Sequence, residues 1–444
     1  MTHDDIADAI RGSTAAEIAT SVRGLIERGA LPPSSALPPV RVLAERLGVN
    51  RNTAVAAYRQ LASSGMVVSR GRGGTRVASP DPVAHEGFAR DTDLRDVGTG
   101  NPDPALIPDP SSALASVVGR PVLYGAPVVD PELEDRAYEL LSADLSRDDV
   151  RVSVTGGAAD ALERLLTATL APGDAVAIEE PGFLTGIHMV RVGGYRAVPV
   201  AVDAEGITPS GLREALDAGA RAIICTPRAQ NPTGASLTEE RARELRGILA
   251  AHPYVLVIED DHFSMLSRHP YRSLIPRDHR RWALVRSVSK FLGPDMGLAL
   301  VGSDPETAAR LGIRLRPGTA WVSHLLQRLS LALLKDEGVR REIERAGAHY
   351  ADRNRALCAR LADHGISCDP SDGLNVWIPV GAPATATTER LRRRGWLARS
   401  GDEFRVAPDA PASTYLRVTA HQLDEDAAAE LAAAIAASAK EARG

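Results

Sequence analysis

Residues 37–78 read LPPVRVLAERLGVNRNTAVAAYRQLASSGMVVSRGRGGTRVA, and this stretch decides the fold of the N-terminal part of the chain. Apolar residues recur at helical spacing up to Gly48 and again up to Gly65, and glycine commonly ends a helix because it adopts the left-handed conformation. Residues 66–69 and 75–78 have the pattern of two short strands joined by a glycine-rich loop. With the helix that precedes this stretch, three helices followed by a hairpin predict a winged helix-turn-helix domain, mainly helical with a β wing.

The charge of the chain is distributed unevenly. Residues 1–80 contain ten Arg, no Lys and six Asp or Glu, a balance of +4; the whole chain carries −5, so the remainder carries −9. A capping box from Thr14 to Glu17 begins a further helix before the quoted stretch. We call residues 12–78 the head and the acidic remainder the body. Because only the head is basic, the charge pattern indicates that the head alone binds a polyanion.

The helix that follows Gly48 begins with residue types that read DNA bases. It begins NRNT, and residues at this point of a helix-turn-helix reach base edges in the major groove. Arginine suits guanine and asparagine suits adenine, while an arginine in the loop of the wing suits the DNA backbone. The predicted DNA-binding residues are Arg41, Asn50, Arg51, Asn52, Thr53 and Arg72. The alternative is a solvated basic face on a helix that binds another protein.

Beyond the head the pattern changes twice. Residues 79–96 are polar, with proline and mixed charge, which is typical of a linker. From residue 97 to 440 strands and helices alternate, which predicts an α/β domain around a largely parallel sheet, with a smaller α+β subdomain at its C-terminal end. The predicted strands are Val150–Val154, Ala175–Glu179, Ala197–Val202, Ala222–Cys225, Tyr254–Ile258, Ala283–Val285 and Leu298–Val301.

Three polar residues lie just beyond predicted strands of the body. Lys290 ends a Ser-Val-Ser-Lys run, and an amine beside two hydroxyls suits a Schiff base next to a phosphate. Asp260 lies in an acidic run of three, where a carboxylate can pair with a protonated pyridine nitrogen. Asn231 lies in a turn controlled by proline and glycine, from which its amide can donate to a ring oxygen. The Ser-x-Ser-Lys run alone is a weak signal, because a surface lysine is the ordinary alternative.

The head resembles GntR-type reading heads over residues 12–78. The resemblance rests on Arg41, the LAERLGV turn, the NRNT start of the recognition helix and the G-x-G-G-T wing. The body resembles fold-type I aminotransferases over residues 97–440, because Asn231, Asp260 and Lys290 follow one another in this order along the chain. A GntR-type head followed by such a body resembles the MocR (GabR-like) regulators. That resemblance implies pyridoxal 5′-phosphate (PLP) as cofactor and binding to operator DNA as a homodimer.

The resemblance to the aminotransferases implies a role for each matching residue. Lys290 bonds to PLP, Asp260 pairs with its pyridine nitrogen, and Asn231 contacts its O3′ oxygen. Arg417, in YLRVTA, matches the arginine that clamps the carboxylate of an amino acid. The other implied cofactor contacts are stacking by Phe183, phosphate binding by Gly157, Ala158, Ser287 and Ser289, and a reach by Tyr124 to the phosphate of the partner subunit.

Several positions depart from the pattern of that family. Ala158 and Ala159 replace a polar pair beside the phosphate, His262 replaces a tyrosine near O3′, and Gly297 replaces an arginine that braces the phosphate. Each loss weakens the retention of PLP by roughly 1–3 kcal/mol, the range for a charge-assisted hydrogen bond. The alternative is a fold that senses a ligand without a covalent cofactor.

These observations favour a transcription regulator whose body senses an amine, an amino acid or PLP itself. A working aminotransferase with an inherited head is the second hypothesis, because Lys290, Asp260 and Arg417 are intact. A pure interaction scaffold is the third.

The composition indicates where such a protein works. No apolar run is long enough for a membrane span, and the first residues lack the pattern of a signal peptide. The three cysteines, Cys225, Cys358 and Cys368, are scattered, so we expect no disulfide framework and no metal site. This pattern predicts a cytoplasmic protein.

Overall fold

The computed structural model describes residues 3–69, 74–78, 93–118, 121–315, 321–407 and 410–443. These residues form two compact units: the first comprises the N-terminal head together with residues 188–196, and the second, larger one comprises the rest of the body. Most of the predicted linker and the tip of the predicted wing, with Arg72, lie outside the described residues. The domain boundaries 12–78, 79–96 and 97–440 therefore stay predictions.

The head contains four helices and a hairpin. Its elements are α1 (His3–Ala9), α2 (Ala15–Glu27), α3 (Val40–Leu47), α4 (Arg51–Ser63), β1 (Val67–Ser69) and β2 (Thr75–Val77). The two strands pair antiparallel, as the predicted wing requires. Helix α1 was not predicted, because seven residues with a polar start give too little periodicity. Its apolar residues Ile6 and Ala7 are nevertheless buried in the core of the head, together with Ile10 just beyond the helix.

Caps fix the ends of the head helices. The Thr14 hydroxyl accepts from the Glu17 backbone N–H and the Glu17 carboxylate accepts from the Thr14 N–H, both over 3.3 Å, which forms the predicted capping box. Asn50 caps α4 by accepting from the Asn52 N–H over 2.8 Å. Gly48 ends α3 with φ of 64°, a left-handed conformation that glycine adopts at little cost. Helices α3 and α4 are thus separated by only three residues.

The body begins with a large α/β part. The short strand β3 (Arg95–Asp96) comes first in the body and pairs with residues 396–397 of the smaller part. The elements of the large part are α5 (Ser111–Val117), α6 (Pro131–Leu145), β4 (Arg151–Thr155), α7 (Ala158–Thr169), β5 (Ala175–Glu180), α8 (Leu184–Val192), β6 (Arg196–Asp203), β7 (Gly206–Ile207), α9 (Pro209–Asp217), β8 (Ala220–Cys225), α10 (Glu239–Leu249), β9 (Leu256–Asp261), β10 (Trp282–Ser287), α11 (Ser289–Leu292), β11 (Ala299–Ser303), α12 (Pro305–Leu315) and α13 (His324–Lys335).

Eight of these strands form one sheet, in the order β4-β11-β10-β9-β8-β5-β6-β7. Strands β5, β8, β9 and β10 are parallel, while β11 runs against both β10 and β4. The sheet is therefore largely parallel, as predicted. Strand β9 differs from its prediction at both ends. Tyr254 is exposed and precedes the strand, which continues through the acidic run to Asp261, and all three acids are buried.

The C-terminal part of the body is the smaller α+β part. Its elements are α14 (Glu337–Ala362), β12 (Asn375–Pro379), α15 (Ala384–Arg393), β13 (Trp396–Leu397), β14 (Arg399–Ser400), β15 (Tyr415–Thr419) and α16 (Glu425–Arg443). Strands β12, β15 and β14 form an antiparallel sheet that shares an apolar core with the last helix. Among the described residues, no helix is long and apolar enough to cross a membrane.

Candidate functional site

The start of α4 presents polar side chains on a buried base. Arg51 and Asn52 are exposed, while Ala54 and Leu61 are buried in the core of the head. Tyr58 is buried on the same face of the helix. Its buried hydroxyl donates to the Pro38 carbonyl over 2.8 Å, which fixes α4 against the segment that begins α3. The recognition helix is thus held rigidly with its first turn facing outward.

The predicted DNA-binding residues have different surroundings. Arg41 is exposed on α3, and Thr53 is half-buried in the first turn of α4. Asn50 is exposed, but its side-chain oxygen is occupied as the cap of α4. A bidentate contact with adenine requires both ends of the amide. Of the two asparagines in this turn, Asn52 is therefore the better placed to read a base.

Three parallel strands bring the three polar residues predicted to hold the cofactor to one edge of the large sheet. Asp260 lies near the end of β9, Lys290 lies just beyond β10, and Asn231 lies in the turn after β8. The carboxyl ends of parallel strands meet at the same edge, which is where α/β folds bind ligands. The three predicted residues are therefore brought to one place.

Lys290 is held inside the cleft by a carbonyl that the sequence did not point to. Its Nζ donates to the carbonyl oxygen of Gly100 over 2.7 Å. Removal from water lowers the pKa of Lys290 to about 8, against the opposing attraction of Asp260. Lys290 is also one of only three lysines in the chain; Lys335 and Lys440 lie on exposed helix surfaces.

Asp260 has an oxygen without a partner. The residue is buried, and its Oδ1 makes no hydrogen bond within the described structure. Burial and the nearby charge of Asp261 raise the pKa of Asp260 to about 7, although Lys290 opposes this shift. A buried carboxylate oxygen without a donor is costly. A protonated ring nitrogen supplied by a ligand would remove this cost.

The two neighbours of Asp260 are satisfied by the protein. Glu259 accepts hydrogen bonds from the Tyr271 hydroxyl and from the backbone N–H of Leu274, and burial raises its pKa to about 7. The arginines Arg228 and Arg286 hold the pKa of Asp261 at about 2 in spite of its burial. Of the three acids, only Asp260 is left for a ligand.

Two aromatic rings lie at the cleft. The rings of Phe183 and His262 are nearly parallel, at 8°, with centroids 6.5 Å apart. Burial and the charge of Lys290 lower the pKa of His262 to about 4, so the imidazole is neutral at pH 7. His262, which replaces a tyrosine of the family pattern, thus presents a neutral imidazole ring at this position.

The phosphate end of the implied cofactor site is built from backbone groups. Gly157 is the N-cap of α7 with φ of 103° and makes no side-chain cap, and Ala158 begins the helix. The first N–H groups of a helix are a ready anion site. Asp160, which the sequence did not single out, accepts from the Gly156 N–H over 3.0 Å and pairs with Arg164 at 2.6 Å.

The remaining positions around this end are uncharged. Ser287 is buried and its hydroxyl accepts from the Ser289 N–H over 3.2 Å. Ala159 is exposed, and Gly297 is left-handed with φ of 45° after a short turn. Ser287 and Ser289 stay predicted hydroxyl donors to a phosphate.

Arg417 lies in the wall of the cleft. It is fully buried; its Nη1 donates to the Asn231 side chain over 3.2 Å and its Nη2 to the Gly98 carbonyl over 2.6 Å. Its guanidinium carbon lies 5.0 Å from the centre of the Phe404 ring. Burial lowers the pKa of Arg417 to about 9. In this conformation its guanidinium is engaged by the protein.

Polar groups from both parts of the body line the cleft. Lys290, His262 and Asn231 line it from the large part, and the segment 372–375 lines it from the smaller part. This segment carried no sequence signal, because it contacts the cleft only through the fold. Tyr124 is 93% exposed, with its ring 5.5 Å from that of Trp321.

The residues present fit the ring of a pyridoxal group. An amine of lowered pKa, an unpartnered buried carboxylate oxygen and an amide converge at one sheet edge. The fit at the phosphate end rests on neutral donors, as the departures at Ala158, Ala159 and Gly297 imply. PLP, the cofactor of this fold family, is thus matched mainly through its ring and aldehyde.

Two family models match the chain. "Bacterial regulatory proteins, gntR family" matches residues 14–77, and "Aminotransferase class I and II" matches residues 108–435. Among solved structures, the kynurenine aminotransferase of Pyrococcus horikoshii superposes with a TM-score of 0.71. It is 20% identical and the match covers 79% of this chain and 92% of that one, a likeness that shows the fold. The predicted fold class is confirmed.

Two curated relatives are similar to this chain over most of its length. "Vitamin B6 salvage pathway transcriptional repressor PtsJ" of Salmonella typhimurium is 46% identical over 427 residues, which cover 96% of this chain and 98% of the relative. "HTH-type pyridoxine biosynthesis transcriptional regulator PdxR" of Corynebacterium glutamicum is 28% identical over 78% of each chain. Both relatives are named as regulators of transcription.

Proposed function

This chain belongs to the MocR-type transcription regulators of the GntR family, and from that premise we propose that it senses PLP in the cleft around Lys290. Occupancy of the cleft then changes the affinity of the head for operator DNA. When bound, PLP supplies an aldehyde carbon for a lysine amine and an electron-withdrawing pyridine ring. The names of the two relatives, which refer to vitamin B6 salvage and pyridoxine biosynthesis, support a vitamer as the effector.

One observation carries this proposal: the buried, unpartnered Oδ1 of Asp260 beside the amine of Lys290. A core that only scaffolds another protein has no reason to keep such an oxygen without a donor. In the proposed site, Asp260 would accept a hydrogen bond from the ring N–H, the neutral amine of Lys290 would hold the cofactor at its aldehyde carbon, and Asn231 would donate to the ring oxygen. Each of these roles is a proposal for one named side chain.

The surroundings of Arg417 favour the vitamer over an amino acid as the signal. An amino-acid carboxylate would have to compete for the guanidinium with Asn231 and Gly98, to which Arg417 already donates. A vitamer needs no such exchange, because it carries no carboxylate. We therefore place PLP ahead of amino-acid effectors.

A homodimer is part of the proposal. GntR-type heads read paired half-sites, which requires two heads at a fixed spacing. Tyr124, which is exposed and lies against the half-buried Trp321, belongs to a surface that a second copy would cover. Sedimentation of the wild type and of Tyr124→Ser tests this: we expect a dimer that the variant weakens, and a monomeric wild type would refute it.

An active aminotransferase is the second candidate. The pKa of Lys290 near 8 favours it, because it leaves a useful fraction of neutral amine at pH 7. Turnover of an amino donor and a keto acid at enzymatic rates, with DNA binding indifferent to PLP, would put this candidate first.

The decisive experiment uses the small number of lysines. PLP is titrated into the cofactor-free protein while the visible absorbance, on the order of 420 nm for a lysine-bound cofactor, and the retardation of promoter DNA are recorded. We expect a saturable band and a shift in DNA affinity in the wild type. Lys290→Ala should lose the band and Lys335→Ala should keep it. A colourless wild type in excess PLP would overturn the proposal.

A further inference from the structure

Two of the three cysteines meet outside the cleft. Cys358 lies on α14, and Cys368 lies in the segment between α14 and β12; their sulfur atoms are 2.6 Å apart and both thiols are free. The third thiol, Cys225, is buried in β8. We propose that Cys358 and Cys368 form a redox-active dithiol that a hydroperoxide oxidises to a disulfide, and that this bond tightens the cleft.

The two thiols differ in a way that suits this chemistry. Cys358 is buried, whereas Cys368 is half-buried between exposed neighbours, so a small oxidant reaches Cys368 first. The hydrogen bond between the two sulfur atoms lowers the pKa of Cys368 and raises that of Cys358. The thiolate is the reactive form of cysteine. Cys368 is therefore the attacking thiol and Cys358 the resolving one.

The reaction is balanced by the peroxide alone. The Cys368 thiolate attacks one oxygen of hydrogen peroxide, the O–O bond breaks, and a sulfenic acid and one water result after proton transfer; an organic hydroperoxide releases its alcohol in place of this water. The Cys358 sulfur then attacks the sulfenic sulfur, which forms the S–S bond and releases a second water. Two thiols lose two electrons and two protons in total, and a dithiol reductant reverses the change.

The pair is joined to the cleft through a short segment. Asn354, one turn before Cys358 on α14, donates from Nδ2 to the carbonyls of Ser371 and Gly373 over 3.3 and 3.0 Å. The Ser267 hydroxyl donates to the Asp372 carboxylate. Residues 372–375 line the cleft. A disulfide would therefore fasten the start of the segment whose end touches the ligand.

Fastening this segment lowers the cost of ordering it around a ligand, which raises affinity. We expect oxidised protein to bind PLP about fivefold more tightly, the lower end of typical coupling between sites. This effect on the ligand rests on the proposed function. The oxidation itself and the stiffening of the segment do not.

The test uses full-length protein, reduced or treated with one equivalent of hydrogen peroxide. Free thiols should fall from three to one, and peptide mass analysis should join Cys358 to Cys368 within one chain. Cys358→Ser and Cys368→Ser should both fail to form this bond, while Cys225→Ser should form it. Hydrogen exchange of the amides of 369–375 should slow on oxidation in wild type and not in the two paired-cysteine variants.

The readouts separate the two ideas. If stoichiometric peroxide leaves three free thiols, or joins different molecules, the dithiol proposal is overturned whether or not PLP binds. If the bond forms but neither the exchange at 369–375 nor the dissociation constant of PLP changes, the link to the cleft is overturned. If reduced protein does not bind PLP at all, the proposed function fails, and hydrogen exchange still decides the dithiol proposal.

Discussion

Arg228 donates from Nε and Nη2 to the two carboxylate oxygens of Asp261, over 2.8 and 2.9 Å. Arg286 donates to the same carboxylate from its Nε over 2.8 Å. Arg228 lies in the turn after β8, Asp261 ends β9, and Arg286 belongs to β10. One buried carboxylate therefore cross-braces the three strand ends that carry the polar groups of the cleft.

Arg228→Met tests how much this brace stabilises the body. The variant leaves Asp261 buried with one cation fewer, and removing one partner of a buried ion pair costs about 3 kcal/mol or more. Urea unfolding of the cofactor-free protein measures the loss. The matched control is Arg213→Ala, whose pair with Glu244 is half exposed and is worth about 0–1 kcal/mol. Equal losses in the two variants would mean that the brace is only geometric.

Asp260→Asn is expected to stabilise the cofactor-free protein above neutral pH. The pKa of Asp260 is raised to about 7 in the folded state, against about 3.9 when unfolded. The folded protein thus holds a proton that the unfolded chain releases, and the wild type loses stability as pH rises from about 4 to 7. Asparagine does not titrate, so its advantage should grow to the order of 2 kcal/mol by pH 8.

Unfolding curves at pH 5 and pH 8 measure this difference between variant and wild type. Glu259, whose pKa is also raised, is present in both proteins and cancels. Asp260 contributes to the raised pKa of Glu179, so loss of its charge relieves Glu179 and adds to the advantage of the variant in the same direction. Asp295→Asn, at an exposed acid, should show no such pH dependence. If Asp260→Asn is destabilising at pH 8, the unpartnered oxygen is not a cost to the folded state.

The local features of this molecule were predictable and the long-range ones were not. The head follows from helical periodicity and from caps within a few residues, as at Thr14 and Asn50. The proximity of Asn231, Asp260 and Lys290 was predictable because the carboxyl ends of parallel strands share an edge. Their positions relative to one another required only the fold class.

The remaining parts of the site join residues far apart in sequence. Gly100 holds Lys290 across 190 positions, and Arg417 reaches Gly98 across 319. Such contacts depend on the packing of the smaller part against the large sheet, which no local pattern records. The brace at Asp261 is similar: Arg228 has no signature in its own turn, and only the sheet order places it beside β9.

Arg51→Ala is expected to weaken binding to the operator by roughly 1–3 kcal/mol and to relax the preference for sequence, because a bidentate contact with a base is lost. Gel retardation with operator and with unrelated DNA at fixed salt measures both effects. Arg23→Ala is the matched control, an exposed arginine on α2 outside the recognition helix, and should leave sequence preference intact. An unchanged preference in the Arg51 variant would remove that residue from base reading.

Coupling between cleft and head must be reciprocal if PLP is the signal. A ligand that changes DNA affinity by a given factor has its own affinity changed by DNA by the same factor, typically 5- to 150-fold, because both describe one free energy of about 1–3 kcal/mol. PLP is titrated with and without saturating operator, and operator is titrated with and without saturating PLP. We expect the two ratios to agree.

Two variants sharpen this comparison. Arg417→Met should leave the response to PLP in place, because a vitamer carries no carboxylate, and should remove any response to amino acids. Arg213→Ala, on the surface of the body, should leave both ratios unchanged. If Arg417→Met abolishes the response to PLP while PLP still binds, the arginine transmits the signal through Asn231 rather than clamping a ligand. If DNA affinity is indifferent to PLP and to every amine tested, sensing in the cleft is refuted, and the aminotransferase hypothesis takes its place.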